Sequence, residues 1–304
     1  MADLNTDIAG LKLKNPVMTA SGTYGAGKEY GALVDLNKLG AICVKTVTLK
    51  PVRGNPPPRL WETPSGMLNS IGLQNDGVEA FIAEDLPFLA QYDVPVIASI
   101  AGTSVDDCSR LAKMLGALPE IAAIELNISC PNVKAGGMIF GSDEKLAAEV
   151  VAKTRLTTNK PLIVKLTPNT GDIAAVAAAC ERAGADAISL INTVLGMAVD
   201  IGTLKPRLGN VVGGLSGPAI KPIAVRMVYE VSQRVGVPII GMGGIVSAAD
   251  ALEFIIAGAA AVAVGTANFI DPQAPIKVID GIAAYLDEKG IPSLSSLVGA
   301  LKVD

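Results

Sequence analysis

Residues 237–266 read VPIIGMGGIVSAADALEFIIAGAAAVAVGT. The opening VPIIGM (237–242) is almost wholly apolar, as in a strand covered on both faces. Gly243 and Gly244 follow, and Ser247, a natural N-cap, opens an amphipathic segment over 247–257. A second apolar run, AAVAVG (260–265), ends at Gly265-Thr266. Strand, glycine turn, helix and a further buried strand form the repeating unit of a parallel α/β sheet.

The same unit recurs upstream. Apolar runs at 41–47, 94–100, 122–128, 161–167 and 186–191 alternate with amphipathic segments at 104–117, 143–158, 172–183 and 219–235. A glycine-rich run at 211–215 (VVGGL) is taken as the sixth strand, and 4–17 as a hairpin closing the barrel bottom. Eight strand–helix units within about 260 residues predict a TIM (β/α)8 barrel, against a doubly wound sheet as competitor. No linker or composition shift divides the chain, so one barrel domain over 1–304 is expected. Two stretches, 48–78 and 192–218, exceed ordinary loop length, and long βα loops carry binding chemistry.

Composition narrows the function. A net charge of −4 with no Lys/Arg cluster argues against nucleic acid. The most membrane-like stretch, 254–265, is 12 residues and too short to span. The N-terminal MADLNTDIAG lacks the pattern of a secretory signal, so a cytoplasmic protein is expected. Histidine is absent, which removes Ser-His-Asp triads and His-bearing metal sites. The four cysteines (43, 108, 130, 180) show no C-x-x-C spacing, so no metal or cluster site is expected in this chain.

In a barrel the site gathers where strands end. Those ends carry Lys45-Thr46, Ser99, Asn127, Ser129-Cys130-Pro131-Asn132, Lys165, Asn192-Thr193, Gly243-Gly244 and Gly265-Thr266. The glycine pairs after the last two strands place bare amides at helix starts, which suits a phosphate; ordinary glycine turns are the alternative. Lys45 and Lys165 interrupt apolar strands and need an anionic partner unless they snorkel to solvent. Lys165 also suits a Schiff base. Cys130 falls at the mouth just past a strand, as a reactive thiol or as a small turn residue. Cys43, Cys108 and Cys180 lie among apolar neighbours and are assigned to the core. Asn69, Asn75, Asn127, Asn132 and Asn192 concentrate amides that both donate and accept, as an imide ring requires.

ELNISCPN (125–132), KTVTLKPVRGNPPPRLWETPSGMLNSIGLQN (45–75), NTVLGMAVD (192–200), GGLSGPAIKP (213–222) and GMGG (241–244) together resemble the dihydroorotate dehydrogenase family across essentially the whole chain. The resemblance implies an FMN-containing barrel that oxidises dihydroorotate to orotate in pyrimidine biosynthesis. It implies that Cys130 takes the C5 proton while the flavin takes the C6 hydride and Lys165 stabilises the reduced flavin. Carried over by position, Lys45, Asn69, Ser70, Ile71, Gly72, Leu73, Asn127, Asn192 and Thr193 match residues that hold the pyrimidine. Ser21, Lys45, Thr46, Asn127, Lys165, Ile191, Gly217, Gly243, Gly244, Gly265 and Thr266 match those that hold FMN. NVKAGGMIFGSD (132–143) resembles the NAD-linked heteromeric branch (1B) rather than the fumarate-reducing homodimeric branch (1A). That branch implies a partner subunit carrying FAD and a [2Fe–2S] cluster in a heterotetramer. The chain itself has no G-x-G-x-x-G after a strand. A phosphate-binding Schiff-base aldolase and a non-enzymatic phospholigand-binding barrel are the rivals from other classes.

Overall fold

A computed structural model describes residues 2–129 and 140–303. Its eight barrel strands, in chain order, are Val17–Thr19, Ile42–Cys43, Val96–Ile100, Ile121–Asn127, Leu162–Lys165, Ala187–Leu190, Ile239–Met242 and Ala261–Val264. Each pairs parallel with the next, the eighth returns to the first through Val262 and Val17, and a Met18–Ala41 bridge joins the first to the second. The sheet is therefore a closed parallel barrel with helices around it, as the sequence predicts.

Side-chain alternation explains why the strands are apolar on both faces. Ile42, Val96, Ile124, Leu162, Val164, Ile188 and Ile239 face outward into a cluster with helix residues Leu111, Val150, Val176, Val228 and Phe254. Their neighbours Met18, Ala41, Cys43, Ile97, Ala123, Ile163, Ala187 and Ile240 face inward and form a second cluster. Ile8 and Leu13 join that inner cluster from the hairpin Thr6–Ile8/Leu11–Leu13, which plugs the amino-terminal end of the barrel.

The surrounding helices begin where short polar side chains cap them. Ser104 Oγ accepts from Asp107 N at 3.1 Å, Asp143 Oδ1 from Lys145 N at 2.9 Å, and Asp172 Oδ1 from Ala175 N at 2.9 Å. No helix of the described residues is long and apolar enough to cross a membrane.

Two strand assignments need correction. The sixth barrel strand is Ala187–Leu190, and the first is Val17–Thr19, a three-residue strand of which the expected hairpin over 4–17 took in only Val17. The glycine-rich segment, Gly213–Ser216, lies outside the barrel in a four-stranded antiparallel sheet ordered Val194–Gly196, Gly213–Ser216, Gly66–Asn69, Leu60–Thr63. Its glycines are there for close approach: a Cβ on Gly214 would lie 1.9 Å from Thr193 Oγ1, and one on Gly213 would lie 2.5 Å from Asn69 O. Both long loops of the sequence thus become a sheet at the carboxyl-terminal mouth.

The plug generates a prediction. Leu13, 1% exposed, should cost about 2–5 kcal/mol when cut to alanine, because a cavity opens in a closed interior. Urea unfolding of Leu13→Ala measures it. A loss within error of zero would remove the hairpin from the cooperative core.

Candidate active site

Along the barrel axis the inward-facing residues change character. Ile97 gives way to Ser99, Ala123 to Glu125 and Asn127, Ile163 to Lys165, and Ala187 to Ser189. Above this polar layer lies a cavity of about 350 Å³, within the usual range for small-molecule sites.

Predicted residues line most of it: Ser21, Lys45, Thr46, Asn69, Ile71, Gly72, Leu73, Asn127, Lys165, Ile191, Asn192, Thr193, Gly217, Gly243, Gly244, Gly265 and Thr266. Ser70 departs from the expectation. Its side chain is fully buried off the cavity wall, and its Oγ has no hydrogen-bond partner. Asn75 binds its own loop, accepting from Thr48 N and Gly77 N and donating to Leu73 O. Cys130 and Asn132 lie outside the described residues. The apolar wall of Leu60, Met67, Ile220, Met242 and Phe269 was not foreseen, since nothing local marks these residues out from core or loop positions.

A directed hydrogen-bond chain holds the amides in place. Ser99 Oγ and Thr46 Oγ1 are 3.0 Å apart, and Thr46 Oγ1 accepts from Asn127 Nδ2 at 3.2 Å. Asn127 Oδ1 accepts from Ser129 Oγ at 2.8 Å, and Ser129 Oγ accepts from Asn192 Nδ2 at 2.8 Å. Asn192 Oδ1 takes the Thr193 amide at 2.8 Å. Each amide orientation is set by its neighbour, which preorganises the wall for a ring with alternating donors and acceptors.

Lys165 is 5% exposed, and its ammonium donates to Ser21 Oγ at 3.1 Å across the barrel. One interior layer down, Glu125 is 3% exposed; its Oε2 accepts from Ser189 Oγ at 3.1 Å and its Oε1 has no partner. The described cysteines are inert by comparison. Burial pushes Cys108 and Cys180 up to about 12, and burial, then the charge of Glu125, pushes Cys43 well up.

The opposite end of the cavity is built for an anion, with one refinement of the expected geometry. Ser247 and Asp250 form a capping box that consumes the amides of Val246, Ser247 and Asp250. The helix start therefore satisfies itself. The amides of Gly244, Ile245, Gly265 and Thr266, in the turns before the helices, have no protein acceptor among the described residues and sit on the cavity wall. Unused amides converging at the ends of barrel strands 7 and 8 fit the terminal phosphate of a mononucleotide.

Gly265 provides the test of this phosphate position. A Cβ there meets nothing closer than Ala20 Cβ at 3.4 Å, whereas on Gly244 (φ +79°) it would lie 2.8 Å from Gly217 O. Gly265→Asp should therefore fold normally yet lose affinity for a mononucleotide, because its carboxylate would repel the phosphate. A Gly265→Asp protein that binds a mononucleotide as tightly as the wild type would move the phosphate elsewhere.

A family model described as dihydroorotate dehydrogenase matches residues 3–286. The chain is 58% identical over 301 residues to the dihydroorotate dehydrogenase B (NAD(+)), catalytic subunit, of Geotalea daltonii, covering 99% of each chain. A protein of the same name from Thermoanaerobacter sp. (strain X514) is 56% identical over 302 residues, 99% of this chain and 100% of that one. Another from Desulforudis audaxviator is 58% identical over 293 residues, covering 96% and 95%. With a matching family model and relatives this similar along nearly their full length, the chain belongs to the dihydroorotate dehydrogenase family.

Proposed function

We propose that this chain oxidises dihydroorotate to orotate for pyrimidine biosynthesis, with FMN in the cavity, as the catalytic subunit of an NAD-linked enzyme. Residues 1–304 act as one FMN-binding barrel domain. The observation that carries the reading is the two-ended cavity: unused amides at strands 7 and 8, and a fixed row of amide side chains with Lys165 at the other side. The chemistry FMN would supply there is a hydride acceptor for C6 of dihydroorotate and an outlet for the electrons.

The chain's own residues do the rest. Asn69, Asn127, Asn192 and Thr193 hold the pyrimidine by its alternating N–H and C=O groups, with Ile71, Gly72 and Leu73 closing over it. Lys45 offers a positive charge to the substrate carboxylate or to the flavin edge. Ser21, Thr46, Ile191, Gly217 and the strand 7/8 glycines seat the flavin, and Lys165 supplies the charge that favours its reduced form. Cys130 takes the proton from C5. A free thiol titrates near about 8.5, so only a few per cent is thiolate at pH 7 unless its surroundings lower that value.

Electrons must then leave. The sequence has no dinucleotide fingerprint after a strand and no cluster-ligand spacing, and the curated relatives are named catalytic subunits of an NAD(+) enzyme. A partner subunit carrying FAD and a [2Fe–2S] cluster, two of each chain in a heterotetramer, completes the path.

Two experiments test this reading. Cys130→Ser should keep its FMN yet reduce it about 10²–10⁴-fold more slowly with dihydroorotate at pH 7, since a hydroxyl is far harder to deprotonate. In the wild type that rate should climb with pH as the thiol ionises. Near-wild-type reduction in the serine variant would falsify the assignment of the base. Stopped-flow on the isolated chain should show dye or oxygen reduction but almost no NADH until the partner is added. Fast, saturable NADH formation without a partner would sink the two-subunit reading, and rapid turnover with fumarate would place the chain in the homodimeric branch.

A further inference from the structure

Glu125 has no part in the proton or hydride steps above, yet among the described residues it is the most deeply buried charged side chain, at 3% exposed. Burying a carboxylate costs free energy unless it is compensated, and only one of its two oxygens, Oε2, has a hydrogen-bond partner. Its place in the barrel suggests the compensation. Lys165 is the register partner of both Asn127 and Ser189, and Glu125 lies two residues before Asn127 on the same inward face. Ser189, beside Lys165 in the sheet, is the residue that donates to Glu125. The Cys43 thiol feels both charges: after burial, Glu125 raises its titration and Lys165 lowers it. Acid and base therefore share one small interior. They do not form a direct ion pair, because the ammonium is drawn up to Ser21 on the cavity wall.

That separation has an electrostatic meaning. A lysine against the flavin favours its negatively charged reduced form, and a carboxylate one layer below opposes that preference. Both act through a low-dielectric interior where neither is screened by water. We propose that Glu125 is a positioning residue that offsets the field of Lys165 and so sets the potential of the flavin bound above it. The offset matters for an enzyme that must give its electrons up as well as take them: Lys165 alone would hold the reduced state too firmly.

This proposal rests on the FMN reading above, and its test separates the two. Glu125→Gln keeps the shape and an acceptor for Ser189 while removing the charge. The purified, flavin-loaded variant should have a midpoint potential more positive than the wild type, by about 30 mV for each tenfold change in relative affinity for the reduced flavin in a two-electron couple. Its dissociation constant for sulfite, which adds to oxidised flavin and leaves it negatively charged, should fall at least tenfold. Glu125→Asp, which retains the charge, should restore most of both values, a rescue that a merely structural role would not give. An unchanged potential and sulfite affinity in a folded, yellow Glu125→Gln protein would overturn the role of Glu125. Should that variant fail to fold, Glu125→Ala, which also removes the charge, takes its place: its potential and sulfite affinity should move in the same direction, and unmoved values refute the proposal. Wild-type protein that carries no flavin would instead overturn the FMN reading itself.

Discussion

Closure of a parallel barrel by eight short strands imposes a single alternation on the whole molecule. Once Val262 pairs with Val17 and Met18 bridges Ala41, every strand residue must face either the helices or the axis. A register slip of one residue would exchange the two sets and send Lys165, Glu125 and Asn127 into the helix layer. The core and the site are thus set by the same pairing, the outward set holding the helices and the inward set supplying first a plug and then a polar floor.

Much of this was legible in the sequence because it is encoded locally. Apolar runs between glycine turns and Ser/Asp caps marked most of the strands and the helices after them. Polar residues at strand ends marked the site, since Lys165 and Asn127 have no reason to end a greasy strand unless something there needs them. What escaped depends on distant partners. Val17–Thr19 is three residues of barrel with no pattern of its own, visible only once Ala41 and Val262 lie beside it. The run at 211–215 looked like a buried strand, but its glycines make room for the Thr193 side chain and the Asn69 carbonyl in the antiparallel sheet. Glu125 sits inside the ELNISCPN motif, where the neighbouring asparagine and cysteine draw all the attention.

The cavity divides its labour by chemical type. At the strand 7/8 end the wall offers backbone amides left unpaired by turns, which no side-chain pattern announces beyond the glycines. At the other side it offers side-chain amides whose directions are fixed by Thr46 and Ser129. The first arrangement suits a group recognised by charge and the second a ring recognised by its donor–acceptor order. The self-satisfied capping box at Ser247 and Asp250 keeps the two from blurring, because it leaves the helix terminus no amide to offer the cavity there.

The antiparallel sheet over the mouth joins two stretches of chain that leave the barrel at distant points, one after the second strand and one after the sixth. Gly214 pairs with Asn69, Gly209 N donates to Pro58 O at 2.8 Å, and the Arg207 guanidinium lies 4.2 Å over the ring of Trp61. Each stretch forms an antiparallel pair of its own, and the pairing of Gly66–Asn69 with Gly213–Ser216 joins the two into one sheet. For inheritance and for engineering the two loops are therefore a single module: a chimaera that exchanges one loop between relatives must exchange its counterpart too, and substitutions at Asn69, Thr193 or Gly214 are constrained as a set rather than one by one.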